Sequence, residues 1–309
     1  MDITLKEHCL AFIESLVGKE RMRYEFDDFG RLKEKISYRN GKKDGPYEYY
    51  SADRRYRSKG MYKDDKKNGS CEVYYNNEWR TDDGQQLMEM FTYKDGKLDG
   101  PAERYYRNGR LMEKGIFKDD KKDGLHEAYY ENGQLKEKLT YKDDKLDGLY
   151  ESYYENGQLR EKCTYKDDKL DGLYESYYEN GQLREKCIYK DDKLDGPYES
   201  YYENGQLREK GSYIKGKKNG PYVSRYTGGQ LLKATYKDGH FDGPYEYYDE
   251  GGQLKEKGSY INGKFHPIKD VFFNETLDKK EQKKAIYKFI GNELYTTITI
   301  RSMMEKGGR

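Results

Sequence analysis

The sequence predicts a mostly β protein, an elongated single-layer antiparallel array of about ten 24-residue β-hairpin units with short helical caps at both ends. Three observations lead to this prediction. A segment of 24 residues recurs along most of the chain, glycine-containing turns punctuate each copy, and the runs between the turns are rich in tyrosine. We therefore expect a tandem repeat protein in which each unit is covered by its neighbours.

The repeat is clearest in three consecutive blocks, residues 141–164, 165–188 and 189–212, which all begin with Tyr-Lys-Asp-Asp-Lys-Leu-Asp-Gly. The spacing between copies is 24 residues, with two exceptions. One copy is one residue shorter than the others, and another is seven residues longer. The first aromatic residue of each copy gives the phase: Tyr38, Tyr62, Tyr93, Phe117, Tyr141, Tyr165, Tyr189, Tyr213, Tyr236 and Tyr260.

Each copy contains two turns and two strand-like runs. We expect the first turn at a glycine such as Gly148 and the second at Asn156-Gly157, because Asn and Gly both tolerate positive φ. The runs between the turns, such as Leu149–Tyr154 and Leu159–Tyr165, have the length and tyrosine content of strands. Each repeat is therefore predicted to be one β-hairpin.

Side-chain alternation predicts a thin sheet. The neighbours Tyr153 and Tyr154 should lie on opposite faces. The following run should place Leu159, Glu161, Cys163 and Tyr165 on one face and Arg160, Lys162 and Thr164 on the other. Neither face is purely apolar, so we expect a single layer covered by tyrosine rings and by the aliphatic stems of charged side chains.

The ends of the chain depart from the repeat and divide it into three parts. Residues 1–22 are predicted to form a capping helix, since Thr4 and Glu7 make a capping box and Gly18 stops the helix. Residues 23–265 form the repeat array. Residues 266–309 are expected to form a second cap, with a helix at about 277–290 and a strand at 294–300.

Composition excludes several classes of protein. Hydrophobic residues make up 34% and charged residues 38%, a profile of disordered chains, but 36 tyrosines argue for an ordered one. The net charge of +1 argues against direct nucleic-acid binding. There is no apolar run of 18 residues, and Lys6, Glu7 and His8 interrupt the first apolar stretch, so we expect a cytoplasmic protein.

The sequence offers no catalytic or metal-binding pattern. The four histidines occupy unrelated repeat positions, the acidic turns lack the spacing of a calcium loop, and the glycines form no phosphate-binding motif. We therefore predict no enzyme activity, no cofactor, no metal and no small-molecule substrate.

The four cysteines have no metal-ligand spacing. Cys163 and Cys187 stand where other repeats place a glycine, which indicates that close packing requires a small residue there. We expect both to be exposed but unbridged, because equivalent residues in neighbouring hairpins lie about 9–10 Å apart.

Two kinds of residue are candidates for contact with a partner. The tyrosine rows, represented by Tyr153, Tyr177 and Tyr201, mix aromatic with charged side chains, as protein interfaces do. Features that occur once should supply specificity: Trp79 and Arg80 in the seven-residue insertion, and Lys283, Lys284 and Tyr287 near the C-terminus. The insertion either carries an interface anchor or folds back onto the sheet.

The unit Tyr-Lys-Asp-Gly-Lys-Leu-Asp-Gly-Pro, followed by Tyr-Tyr and Asn-Gly-Gln-Leu, resembles the MORN repeat over about residues 30–265. It is most similar to the variant form in bacterial YwqK-type antitoxin-like proteins. The resemblance implies an elongated hairpin array used for protein or membrane contact, and the antitoxin label implies neutralisation of a partner by direct binding.

The leading interpretation is a non-enzymatic protein-binding module, in one form an inhibitor that neutralises a toxin or a defence enzyme such as a nuclease. The alternative is a peripheral membrane-associated scaffold, which would need clustered Lys and Arg, whereas here Lys alternates with Asp and Glu. A glycan-binding surface module would favour a ladder of tryptophans, and the chain has one Trp.

Overall fold

The computed structural model describes residues 13–14, 20–75 and 86–268. The chain folds as two compact units, Met1–Lys217 and Lys218–Arg309. The described residues contain strands and turns, and within them no helix is long and apolar enough to cross a bilayer.

The described part of the chain forms 25 strands, most of them six to nine residues long. Their bounds are β1 Ile13–Glu14, β2 Glu20–Phe26, β3 Leu32–Arg39, β4 Lys42–Tyr50, β5 Tyr56–Lys63, β6 Lys66–Lys67, β7 Gly69–Tyr75, β8 Leu87–Lys94, β9 Lys97–Tyr105, β10 Leu111–Lys118, β11 Lys121–Lys122, β12 Gly124–Tyr129, β13 Leu135–Lys142, β14 Lys145–Tyr153, β15 Leu159–Lys166, β16 Lys169–Tyr177, β17 Leu183–Lys190, β18 Lys193–Tyr201, β19 Leu207–Ile214, β20 Lys217–Lys218, β21 Gly220–Arg225, β22 Leu231–Lys237, β23 His240–Tyr248, β24 Leu254–Ile261 and β25 Lys264–Pro267.

In the first unit each strand from β1 to β19, apart from the short β6 and β11, pairs antiparallel with the next such strand of the chain. The short strands β6 and β11 also pair with β5 and β10. In the second unit β21 to β25 pair in the same sequential way. The predicted meander of β-hairpin repeats is confirmed.

The first turn of each repeat lies earlier than predicted. In the hairpin of β13 and β14, the turn is Asp143-Asp144, with φ of 49° and 67°, and β14 starts directly after it. Positive φ at both central residues is the geometry that matches the twist of paired strands, and Asp tolerates it. Gly148 instead lies inside β14 at a β-bulge, with φ of 126°. A Cβ there would lie 3.1 Å from Thr140 Cβ, so the bulge requires glycine.

The second turn is where predicted, but only its glycine has a positive φ. Gly157 has a φ of 85°, while Asn156 is not in the left-handed region. The asparagine is used for its side chain: Asn156 Oδ1 accepts from Gln158 N at 2.9 Å and Nδ2 donates to the Glu179 carbonyl at 3.1 Å. It therefore closes its own turn and ties it to the next repeat.

Both turns connect consecutive repeats by hydrogen bonds. At the aspartate turns, Leu146 N donates to Asp168 Oδ1 at 2.8 Å and Asp168 N donates to the Leu146 carbonyl at 2.9 Å. At the Asn-Gly turns, the Tyr154 hydroxyl donates to the Tyr177 carbonyl at 2.8 Å. The same bonds recur 24 residues later, which explains why the spacing stays constant from block to block.

The predicted N-terminal capping helix of residues 1–22 is not supported by those of its residues that the structure describes. Ile13–Glu14 and Glu20–Phe26 are strands, and β2 pairs with β3 along its whole length. The physical reason is that β2 supplies backbone partners to the outer edge of β3, which a helix could not do. The C-terminal helix at about 277–290 and the strand at 294–300 lie outside the described residues.

Candidate binding surface

Two β-bulges in most repeats decide which side chains share a face. One is the glycine bulge described above. The other lies at the start of the second strand: Ser176 pairs with Glu185 but Tyr177 pairs with Leu183, so Arg184 is an extra residue without a cross-strand partner. Arg184 Nε donates to Ser176 Oγ at 3.3 Å, which places the extra residue on the face of that serine.

The predicted alternation along residues 159–165 is therefore wrong at its beginning. The equivalent bulge pairs Leu159 with Tyr153 and leaves Arg160 unpaired across the strand. Leu159 then shares the face of Tyr153, and Arg160 lies on the opposite face with Glu161. Simple alternation assumes no inserted residue, and a bulge inserts one.

One face, here named the covered face, is defined by Tyr150, Ser152, Glu161, Cys163 and Tyr165 and their repeat equivalents. Across β14–β19 large and small residues alternate on this face; Cys163, for example, pairs with both Tyr150 and Tyr174. The tyrosine rings also meet edge to face, as for Tyr150 and Tyr165 at 6.0 Å between centroids. The covered face is thus a one-sided core.

The expectation that Cys163 and Cys187 are exposed is wrong. Each side chain is 1% exposed, because the rings of the neighbouring tyrosines lie over it. Both thiols are free, and burial raises the pKa of each to about 12. A Cβ at Gly60 would lie 2.8 Å from Tyr47 Cε1, but Ile36, Phe91 and Leu139 occupy the equivalent position in other repeats. The inferred need for a small residue is therefore not general.

His126 occupies a covered-face position that other repeats fill with tyrosine. Its ring meets Phe117 and Tyr141 edge to face, with centroids 5.5 and 5.0 Å away, and Nε2 donates to the Ile116 carbonyl at 3.0 Å. These contacts are those of a packed structural side chain. Burial is the main cause that lowers the pKa of His126, and the charge of Lys122 adds to the effect, while the Ile116 carbonyl and Glu113 oppose it.

We expect His126 to make stability fall in mild acid. Because its folded pKa lies below the ordinary value of about 6.5, its contribution is complete above that pH and is lost as the pH falls below it. The thermal midpoint, measured from pH 8 to 5, should therefore decline less steeply below about 6.5 in a His126→Tyr variant.

Tyrosine fits this position because the chain already pairs Tyr198 with Gly211, and a tyrosine at position 126 would face Gly115 in the same way. The matched control is His240→Gln, since His240 is exposed in the second unit. A His126→Tyr protein with the same acid dependence as the wild type would contradict the assignment.

The opposite face, here named the striped face, is defined by Leu149, Glu151, Tyr153, Lys162 and Thr164 and their equivalents in β9–β19. Its first row is mainly apolar: seven of its ten positions in β9–β19 are Leu, Ile or Pro, and the other three are Thr140, Thr164 and Ser212. Leu149 and Leu173 are 40% and 43% exposed, and Ile116 and Leu125 occupy the same row. Isolated exposed apolar residues are ordinary, but a row repeated on one face is typical of a contact surface.

The second row of the striped face alternates in charge from strand to strand. Cα pairing joins ten residues in one line: Glu103, Lys114, Glu127, Lys138, Glu151, Lys162, Glu175, Lys186, Glu199 and Lys210. Ion pairs within the line measure 3.1 Å for Lys162–Glu151 and 2.8 Å for Lys186–Glu175. The ammonium of Lys186 holds the pKa of Glu175 below its ordinary value, and Glu175 raises the pKa of Lys186.

The third row contains three of the predicted contact residues. The hydroxyls of Tyr153, Tyr177 and Tyr201 each donate to the glutamate two residues earlier, at 3.0, 3.1 and 2.7 Å. All three rings are half-buried, and burial raises the pKa of Tyr153 and Tyr177. The structure thus places these three half-buried tyrosines in one row, with their hydroxyls hydrogen-bonded within the chain.

The other predicted contact residues cannot be placed on this surface. Trp79 and Arg80 in the insertion, and Lys283, Lys284 and Tyr287 near the C-terminus, lie outside the described residues. They stay predictions of partner contact.

The sequence prediction missed the exposed apolar row. Its signal was present, because from Gly100 onward the residue after the bulge glycine is Leu or Pro in each repeat of the first unit, as in Leu125, Leu149, Leu173 and Pro197. The sequence prediction placed the first turn at the glycine. Counting the alternation of side chains from there did not distinguish the exposed Leu149 from its neighbour Tyr150 on the covered face.

In residues 13–14, 20–75 and 86–268, no group of three or more His, Cys, Asp or Glu side chains could hold a metal ion.

The chain is similar to a known repeat. Six segments match the family model described as MORN repeat variant. They are residues 98–119, 122–143, 146–167, 170–191, 194–215 and 241–262, together 132 of the 309 residues. MORN repeats are non-catalytic modules that generally mediate protein or membrane interactions. The predicted resemblance to MORN repeat variants is confirmed in these segments, while the narrower YwqK-type assignment stays a prediction.

Curated protein sequences give no match to the chain. Among solved structures, a chain in the crystal structure of TcdB2-TccC3-Cdc42 is similar at 11% sequence identity, with a TM-score of 0.19. The similarity covers 78% of this chain and 17% of that one.

Proposed function

We propose that this protein is a cytoplasmic, non-enzymatic binding module that recognises another protein through the striped face. At a finer level, we propose that it acts as an inhibitor, neutralising a partner such as a toxin or nuclease by covering it. The observation that carries the proposal is the exposed apolar row beside the ordered charged and tyrosine rows, repeated on one face of the first unit.

The physical basis is that a rigid, pre-formed surface loses little entropy on binding. The glutamates of the charged row are held on two sides, as when Glu151 accepts from Tyr153 at 3.0 Å and pairs with Lys162 at 3.1 Å. The backbone beneath is fixed by the ladder bonds and by the links between turns. Leucines that are 40–43% exposed can then be buried by a partner.

Affinity capture from the source organism, followed by affinity measurement with the purified captured protein, tests the proposal. The double variant Leu149→Ser/Leu173→Ser removes two members of the apolar row. We expect its affinity to fall roughly tenfold or more, because each buried leucine side chain contributes about 1.5–3 kcal/mol. The matched control is Glu155→Ser/Glu179→Ser, two exposed turn residues in the same repeats.

The same affinity measurement also tests the predicted contact residues that occur once in the chain. Trp79→Ala should cost about 2 kcal/mol of affinity if Trp79 is an interface anchor. Flotation with phosphatidylserine vesicles tests the alternative of a membrane scaffold. Vesicle binding without any captured protein would refute the recognition of another protein. Unchanged affinity of the leucine variant would refute binding through the striped face.

A further inference from the structure

The charged row of the striped face has an internal symmetry. It alternates Glu and Lys over ten consecutive pairing positions, from Glu103 to Lys210. With about 4.8 Å between strands, these ten positions span about 43 Å. An alternating row of even length is complementary to itself when it is reversed.

A two-fold axis parallel to the strands performs this reversal. If the axis passes between Glu151 and Lys162, each glutamate of one copy faces a lysine of the other. Glu151 then faces Lys162 of the second copy, and Glu175 faces Lys138. The same operation keeps the row order, so the apolar row meets the apolar row and the tyrosine row meets the tyrosine row.

The exposed fractions of the side chains in the charged row alternate in the same way as the charges. In the four ion pairs Lys114–Glu127, Lys162–Glu151, Lys186–Glu175 and Lys210–Glu199, the lysine side chains are 43–61% exposed and the glutamates 13–29%. Lysines therefore project and glutamates lie lower. A reversed second copy sets projecting lysines over the low glutamates, so shape and charge agree.

Within the first row, the same axis forms apolar pairs and also sets exposed leucines opposite threonines. Leu125 of one copy is brought opposite Ile188 of the other, and Leu149 opposite Thr164. Contact along three rows, about 43 Å by 14 Å, covers about 600 Å² of projected surface on each copy, or about 1,200 Å² in total. That area lies at the lower end for specific interfaces and suits a reversible dimer.

We propose that the striped faces of two copies of this chain pack against each other as a two-fold dimer. The inference deepens the proposed function, since it rests on the same binding surface and names a second copy as an occupant. Aligned face-to-face packing of two sheets, with strands within about 30° of one another, is a common arrangement. A foreign partner would compete with the second copy for this face.

Paired charge reversals test the dimer. One double variant, Glu151→Lys/Glu175→Lys, makes the centre of the row all basic. The other, Lys138→Glu/Lys162→Glu, makes it all acidic. By sedimentation equilibrium over a concentration series, the wild type should approach twice its monomer mass of 36.7 kDa. Each variant alone should associate roughly tenfold more weakly or worse, because like charges then face each other.

An equimolar mixture of the two variants should recover the dimer, because every reversed residue meets a reversed partner. This recovery distinguishes interface pairing from damage to the fold, which mixing would not repair. The control is Glu155→Lys/Glu179→Lys, which reverses two exposed charges in the turns and should leave the dimer intact.

Several outcomes would overturn the proposal: a monomeric wild type, variants that each dimerise like the wild type, or a dimer that the mixture fails to restore. The result is separable from that of the proposed function. A monomeric wild type whose partner binding still needs Leu149 and Leu173 would refute only the dimer. A dimer that captures no other protein would refute the foreign partner and keep the dimer.

Discussion

Replacing Tyr174 with alanine should lower the free energy of unfolding by about 3 kcal/mol, while Leu173→Ala should lower it by less than about 1 kcal/mol. The two residues are neighbours in β16 and differ in the face they occupy. Tyr174 lies on the covered face between Cys163 and Cys187, its partners on the adjacent strands. Leu173 lies on the striped face and is 43% exposed.

The large effect at Tyr174 comes from what its ring covers. The ring meets Tyr189 edge to face with centroids 5.6 Å apart, and burial raises the pKa of the Tyr174 hydroxyl. Its removal would expose the Cys163 and Cys187 side chains and leave a cavity. The sheet is a single layer, so no second layer can move in to fill that cavity. Aromatic truncations in cores cost about 3–5 kcal/mol, and partial exposure of Tyr174 reduces the value to the lower end.

Urea unfolding of the two variants, followed by circular dichroism, measures both free energies. Similar losses for Tyr174→Ala and Leu173→Ala would contradict the division into a covered face and a striped face. The same leucine substitution should then still affect partner binding, which separates a surface role from a structural one.

The repeat, the strands and their sequential pairing could be predicted from the sequence because they depend on local signals. Tyrosine-rich runs of fixed length between turn residues leave few other arrangements. These are properties of composition and spacing.

The division of side chains between the faces could not be predicted, because it depends on cross-strand register. The bulges at Gly148 and Arg160 insert residues that simple alternation does not count. Moving the first turn from Gly148 to Asp143-Asp144 changes which residues belong to the first strand. As a result the tyrosines of the candidate surface were identified, whereas the exposed row of Leu149 was not.

Removing a whole repeat should be tolerated much better than removing one residue. A variant lacking residues 165–188 should melt within about 5 °C of the wild type, whereas deletion of Glu175 alone should lower the midpoint by roughly 10 °C or more. The comparison is made by differential scanning calorimetry at equal concentration.

The whole-repeat deletion preserves each contact type at the new junction. Thr164 would be followed by Tyr189, which replaces the equivalent Tyr165. The link from Leu146 N to Asp168 would be remade with Asp192, and the Tyr154 hydroxyl would reach the Tyr201 carbonyl in place of Tyr177. Only one copy of the nearest-neighbour interface is lost.

Deleting Glu175 has no such remedy. It removes the residue between Tyr174 and Ser176, both on the covered face, so one of the two must turn to the striped face or a bulge must form. Either outcome exposes the tyrosine or breaks the pairing of Glu175 with Lys162 and Lys186, at a cost of roughly 3–5 kcal/mol. If the single deletion melted as high as the whole-repeat deletion, the register would be adjustable, and the fixed rows from which the binding surface is built would not exist.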